Sequence, residues 1–131
     1  MIKLLIGAKG SGKTKTLIEL VNNAANTSEG SVVCIEKGNN LKLDITYKAR
    51  LIDFDNYGVL SAQALYGFIS GILASNNDIT DIFVDGVLKI CDVDQFVSIL
   101  GKLDNVAEGI NLVMTASIPV DECPDEIKKY A

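Results

Sequence analysis

A glycine-rich turn between an apolar stretch and a helical stretch is the feature that most restricts this chain. Residues 4–20 read LLIGAKGSGKTKTLIEL. The pattern GxxxxGK[ST] is matched here by Gly7, Gly12, Lys13 and Thr14. The match follows a predicted strand over residues 2–6 and precedes a predicted helix over residues 14–25, which is the context that gives the pattern its mechanism. A chance glycine turn would not be expected to satisfy all of these conditions.

Such a turn predicts a phosphate-binding loop. Its glycines let backbone N–H groups point inward around the β- and γ-phosphates of a nucleotide, and the helix start adds partial positive charge. The Lys13 ammonium can then reach those phosphates, and the Thr14 hydroxyl can bind Mg²⁺. We expect Lys9 and Lys15 to be mainly solvated. The predicted binding stretch as a whole comprises Gly7, Ala8, Lys9, Gly10, Ser11, Gly12, Lys13, Thr14 and Lys15.

Length and composition favour one compact domain over residues 1–131, because 131 residues with 48% hydrophobic side chains suffice for one real core. No run of eighteen apolar residues occurs, and no signal-peptide cleavage site precedes the glycines. A cytoplasmic protein without a membrane segment is therefore expected. The net charge of −5 and the lack of a basic block argue against nucleic-acid binding.

Apolar strand patterns alternate with helical periodicity along the chain. Strands are predicted over residues 2–6, Ser31–Glu36, 50–54, 81–85 and 110–117. Helix N-caps are predicted at Ser61 and at Asp92 or Asp94. Strands separated by helices imply an α/β fold, with a mostly parallel five-stranded sheet between two helical layers. Residues 38–48 show no clear period.

The chain resembles a P-loop NTPase, with GAKGSGKT as Walker A. DIFVD, residues 81–85, resembles Walker B, and the resemblance assigns Asp85 to the magnesium site. Two predicted strands between these motifs resemble the RecA-like or ASCE division of the family. That resemblance implies the sheet order 5-1-4-3-2, numbered along this chain, and ATP and Mg²⁺ as cofactors.

The same resemblance implies a glutamate that activates water. Gly86 occupies the place directly after the Walker B aspartate where that glutamate often stands. In RecA-like members the glutamate stands instead at the end of the strand after the P-loop helix, which makes Glu36 the predicted general base; the alternative is an ordinary solvated acid. Thr115 and Ser117 end the last strand, where the family often has a γ-phosphate sensor, although a hydroxyl satisfied by the backbone is an equal alternative.

The reaction class follows from what the chain lacks. Phosphoryl transfer to a second phosphorylated substrate needs several fixed cations, and Arg50 is the one arginine, so a nucleoside monophosphate kinase fits poorly. A nucleoside kinase similar to thymidine kinase is a weaker alternative, because the acidic pair and zinc-binding cysteines of that family are absent. Without an NKxD-like sequence, ATP is favoured over GTP.

Two functions of different classes therefore stay open. The first is a slow Mg²⁺-dependent ATPase with Lys13 and Glu36 as catalytic residues, whose site is completed by self-association or by a protein partner. The second is a nucleotide-binding regulatory module that does not hydrolyse.

Overall fold

The computed structural model describes residues 1–131, which form five strands and four helices. They alternate along the chain except that the third strand follows the second without a helix between them. The strands are β1 (Ile2–Gly7), β2 (Ser31–Glu36), β3 (Ala49–Asp53), β4 (Ile79–Asp85) and β5 (Asn111–Ser117). The helices are α1 (Lys13–Thr27), α2 (Ala62–Ser75), α3 (Val93–Val106) and α4 (Asp125–Lys128). Short 3₁₀ turns cover Phe54–Tyr57, Val87–Lys89 and Val120–Glu122.

The sheet is buried on both faces because its central strands are apolar on both sides. In β2, Val32 and Cys34 belong to a small core shared with α1, whereas Val33 and Ile35 belong to the larger core under α2 and α3. Successive side chains of a strand point to opposite faces, so one apolar run serves both cores. The predicted α/β class and three-layer arrangement are confirmed.

The sheet is entirely parallel, but the predicted strand order 5-1-4-3-2 is wrong. The observed order is β1-β5-β4-β2-β3, so β5 lies between the P-loop strand and β4. Burial explains the difference, since an interior strand must be apolar on both faces. Residues 112–116 of β5 are all buried, whereas β1 carries the exposed Lys3 and lies at the edge.

Residues 38–48, which had no clear period, form a chain of turns packed against α1. Leu41 and Ile45 are buried in the smaller core with Leu17 and Val21. The Asn22 side chain donates to the Asp44 carbonyl oxygen at 2.9 Å and accepts from the Thr46 N–H at 2.9 Å. The segment is therefore fixed to the helix that begins at the glycine-rich turn.

The predicted helix caps are found at Ser61 and Asp92. The Ser61 hydroxyl accepts a hydrogen bond from the Ala64 N–H at 3.1 Å. The Asp92 carboxylate accepts from the Gln95 N–H at 2.9 Å, and the Gln95 side chain accepts from the Asp92 N–H at 3.3 Å, which completes a capping box. None of the helices has the length and apolar character that crossing a membrane requires.

Loss of the capping box should destabilise the fold. Asp92→Ala leaves the N–H groups of the first turn of α3 without their acceptor, so we expect the free energy of unfolding to fall by about 1 kcal/mol. Urea denaturation measures the change. Asp94→Ala is the matched control, because Asp94 is exposed in the same turn and its side chain caps nothing. Equal losses in the two variants would contradict the assignment of Asp92 as the cap.

Candidate nucleotide-binding site

A cavity of about 540 Å³ opens above the glycine-rich turn, at the edge of the sheet where the parallel strands end. Open α/β sheets bind ligands at this edge, and the volume lies in the range of small-molecule sites. From the predicted stretch, the cavity is lined by Lys9, Gly10, Gly12, Lys13, Thr14 and Lys15. Beyond that stretch it is lined by Gly86, Leu88, Lys89 and Ser117.

The rest of the predicted stretch lies on the other side of the Lys13 side chain. Gly7, Ala8 and Ser11 line a neighbouring, shallower cavity. The Lys13 ammonium donates to the Ala8 carbonyl oxygen at 2.9 Å and to the Ser11 hydroxyl at 3.4 Å, so it spans the turn from one side to the other. Partial burial lowers the pKa of Lys13, and the nearby Asp85 carboxylate opposes that shift.

The turn aims the start of α1 at the cavity that Lys13, Thr14 and Lys89 line. Gly12 is the N-cap of α1 and has a φ of 91°, a left-handed conformation that favours glycine. No side chain caps this helix, and its first turn has no acidic residue. Its first N–H groups and the positive end of its dipole are therefore available to an anion, as expected for a phosphate-binding loop.

The glycine-rich turn and the end of β4 meet where the Thr14 hydroxyl lies beside the Asp85 carboxylate. The Thr14 hydroxyl lies 3.2 Å from Oδ1 and 3.5 Å from Oδ2 of Asp85, a residue 71 positions along the chain. Asp85 is 7% exposed. Hydroxyl and carboxylate oxygens are the donors that Mg²⁺ prefers, and Mg²⁺ usually takes only one or two protein ligands beside water and phosphate. This donor pair therefore fits the ion that the resemblance implies.

Thr115 holds Asp85 in place instead of facing the cavity. Its hydroxyl donates to Oδ1 of Asp85 at 2.8 Å and accepts from the Gly86 N–H at 2.7 Å. The hydroxyl is thus satisfied partly by the backbone, as in the alternative interpretation of this residue. Ser117, two positions later, does line the cavity. Of the two residues considered as γ-phosphate sensors, only Ser117 has the position for contact.

Glu36 lies at the predicted strand end, but its carboxylate does not line the cavity. Oε1 accepts from the Asn40 N–H at 3.0 Å and Oε2 from the Leu41 N–H at 2.8 Å. The side chain is 2% exposed, and this burial raises its pKa. The two N–H groups oppose the shift, while the carboxylates of Asp85 and Asp53 add to it. The structure therefore gives Glu36 a role in holding residues 38–48, and its role as general base stays a prediction.

Sequence reasoning missed Lys89 as a site residue. Lys89 ends the 3₁₀ turn after β4, and its side chain reaches the same cavity as Lys13. A lysine four positions after the Walker B aspartate, with a glycine between, was the available signal. Lys9 and Lys15 are exposed, as predicted, and they also line the cavity.

The cavity concentrates positive charge in an acidic chain. Four lysines line it, Lys9, Lys13, Lys15 and Lys89, whereas the chain carries a net charge of −5. None of them forms an ion pair, because the one salt bridge of the structure joins Lys37 to Asp55 elsewhere. A concave site with unpaired cations around a helix start is suited to a polyanion such as a nucleoside triphosphate.

Comparison with known proteins shows the fold and nothing finer. No protein-family model matches the chain, and no curated protein matches it. The structure is similar to that of a KaiC-like protein from the hyperthermophilic archaeon Pyrococcus horikoshii, with a TM-score of 0.69 and 17% identity. That match covers 98% of this chain and 66% of the archaeal chain, so this chain spans just under two thirds of its neighbour.

A second solved structure is more distant. It is the TcpA conjugation coupling protein of pCW3, in its monomer form with ATPγS, with a TM-score of 0.48 and 15% identity over 98% of this chain and 46% of the other. Of these two structures, the archaeal one alone is similar enough for its fold to be compared with that of this chain. The fold is accordingly like that of the KaiC-like protein, with a five-stranded parallel sheet flanked by helices.

The buried Glu36 should make stability depend on pH. Its pKa is raised above the ordinary value of 4.5, so the folded chain holds a proton that the unfolded chain releases. Glu36 thus stabilises the fold below that ordinary value and loses this contribution as the pH rises through its folded pKa. We expect the free energy of unfolding of the wild type, relative to that of Glu36→Gln, to fall with rising pH by at most about 1.4 kcal/mol per pH unit.

Urea denaturation of both proteins between about pH 4 and pH 8 measures this difference. Glu29→Gln is the matched control, since Glu29 is an exposed acid outside the site. A difference that stays constant, or that grows as the pH rises, would contradict a raised pKa at Glu36.

Proposed function

We propose that this chain, as one domain over residues 1–131, binds Mg²⁺·ATP at the cavity above its glycine-rich turn. The observation that carries the proposal is the contact between the Thr14 hydroxyl and the Asp85 carboxylate at 3.2 Å. These groups come from the two motifs of the P-loop resemblance, and folding brings them together beside an uncapped helix start. Such a constellation is suited to a polyanion, because it places cations and N–H donors together.

Each part of the site has a task in this proposal. The first N–H groups of α1 and the Lys13 ammonium bind the β- and γ-phosphates. Thr14 and Asp85 would hold the magnesium ion, which would neutralise part of the phosphate charge. Thr115 fixes the Asp85 carboxylate through the hydrogen bond of 2.8 Å described above. ATP is proposed over GTP because the chain has no guanine-reading sequence.

The arrangement favours binding over hydrolysis in the isolated chain. A water-activating glutamate is absent from the position after Asp85, which is Gly86. The other candidate, Glu36, uses both carboxylate oxygens to accept backbone N–H groups. No arginine lines the cavity. We therefore propose a nucleotide-binding module whose hydrolysis is slow.

A second candidate function, an ATPase completed by self-association, has one observation in its favour. The segment held by Glu36 carries two large apolar side chains in solvent, Leu43 at 96% and Tyr47 at 92% exposed. A second copy that covers them could shift this segment and release Glu36, which pairs in register with Asp85. Exposed side chains of this kind are typical of interaction sites.

Removal of the Lys13 charge should abolish binding. In Lys13→Ala the phosphates lose a charge-assisted contact, and we expect the affinity for Mg²⁺·ATP to fall by at least about 100-fold with the fold intact. Isothermal titration calorimetry measures the affinity, and circular dichroism checks the fold. Lys102→Ala is the matched control, because Lys102 lies near the end of α3, outside the cavity. Unchanged affinity in Lys13→Ala would refute the phosphate-binding assignment.

Phosphate release distinguishes the two candidate functions. For the binding module, we expect release per chain from Mg²⁺·ATP to stay low at every protein concentration, because no group is positioned to activate water. For the ATPase, release per chain rises with concentration and is lost in Glu36→Gln and in Tyr47→Ser. Lys13→Ala supplies the blank. A concentration-dependent rise that persists in Glu36→Gln would exclude Glu36 as the base.

A further inference from the structure

We infer that the Lys89 ammonium binds the terminal phosphate of the nucleotide, so that the site distinguishes a triphosphate from a diphosphate. This inference rests on the proposed function, which concerns the same cavity. It adds a residue from outside the glycine-rich turn and states what that residue recognises. Four observations carry it: the position of the turn, the glycine beneath the side chain, the free ammonium and the link to Asp85.

The turn that carries Lys89 is rigidly placed. It begins directly after the strand that ends in Asp85, and Val87 anchors it in the core with no exposed surface. The Lys89 N–H donates to the Gly86 carbonyl oxygen at 3.0 Å, which closes the turn. The side chain therefore starts from a fixed point at the edge of the cavity, although it is itself exposed.

Gly86 allows the Lys89 side chain to lie across the turn. A Cβ atom at position 86 would approach the Lys89 Cδ to 2.9 Å and the Cε to 3.2 Å, so the stem of Lys89 occupies the place of a side chain. Gly86 also has a φ of 82°, which favours glycine. The residue that departs from the family pattern, glycine in place of glutamate, is thus the one that makes room for this lysine.

The Lys89 ammonium has no partner in the protein. It forms no salt bridge. Of the acidic residues nearest in sequence, Asp92 caps α3 and Asp85 is engaged by Thr14 and Thr115. It shares the cavity with Lys9, Lys13 and Lys15, so it adds to a field of like charges. A bound polyanion would attract all four ammonium groups and offset the repulsion among them.

The link to Asp85 indicates which phosphate Lys89 meets. In phosphoryl-transfer sites the metal ion bridges the β- and γ-phosphates, and the P-loop lysine binds the same pair. Asp85 marks the metal position, and Lys89 comes from the turn just beyond it. The Gly86 N–H donates to Thr115, which donates to Asp85, so the turn and the metal ligand are joined by hydrogen bonds. Lys89 therefore lies on the side of the cavity where the metal ion would be held, and the inferred contact is with the terminal phosphate.

The test compares triphosphate and diphosphate affinities in the wild type and three variants of the chain. The ligands are Mg²⁺·AMP-PNP, which resists hydrolysis, and Mg²⁺·ADP, each measured by isothermal titration calorimetry. Lys89→Met keeps the length of the side chain and removes its charge, and Lys89→Arg keeps the charge. Lys102→Met is the matched control outside the cavity. Circular dichroism and urea denaturation verify that every variant is folded.

We expect Lys89→Met to weaken AMP-PNP binding by about 10-fold or more while ADP binding changes by less than about 3-fold, since one charge-assisted contact is lost from the γ-phosphate alone. Lys89→Arg should restore most of the ratio between the two affinities. Equal losses for both ligands, or no loss for either, would overturn the inference. If the wild type binds neither ligand, or Lys13→Ala binds as the wild type does, the proposed function itself fails.

Discussion

The Asp85 carboxylate is the interaction on which the rest of the site depends. It is almost fully buried, and a buried carboxylate is tolerated only when its oxygens are hydrogen-bonded. Two hydroxyl groups meet this requirement: Thr14 from the start of α1 and Thr115 from β5. One acidic side chain therefore ties the glycine-rich turn, the end of β4 and the end of β5 to one geometry.

The strand order makes this arrangement possible. Because β5 lies between β1 and β4, Thr115 comes to lie within 2.8 Å of Asp85, and Ser117 reaches the cavity beside the end of β1. If β1 were next to β4, as the order 5-1-4-3-2 implied, neither hydroxyl could occupy its present place. The lateral position of β5 thus decides how the Asp85 carboxylate is held, as well as how the core is packed.

Much of the fold could be predicted from the sequence because its signals are local. Apolar runs identify the strands, and Ser61 and Asp92 identify helix starts, since each signal acts within one or two turns of the chain. Strand order depends on contacts between distant segments, and the exposed Lys3 in β1 was a weak sign of an edge strand. The partners of the Glu36 carboxylate could not be predicted, because they belong to a segment without period.

Sequence patterns predicted the residues of the candidate site whose positions a motif specifies. They did not predict Lys89, whose side chain reaches the cavity by lying across the backbone of Gly86. Walker A spacing specified Lys13 and Thr14, and the strand pattern specified Asp85. Lys89 carries no such signal, since its place in the cavity depends on the left-handed Gly86 and on the empty space above that glycine. The sequence shows that position 86 is a glycine, but only the folded structure shows that the Lys89 side chain occupies the space beside it.

Glu36 shows why the proposed site favours holding a nucleotide over hydrolysing it. Turning its carboxylate toward the cavity would leave the buried N–H group of Leu41 without its acceptor, at a cost of about 1–3 kcal/mol, and would also break the bond from the exposed Asn40. The segment that bears them is also tied to α1 through Asn22. Movement of Glu36 would therefore disturb the helix that begins at the glycine-rich turn. In the proposed function, any partner that activated hydrolysis would have to offset this cost by its own contacts.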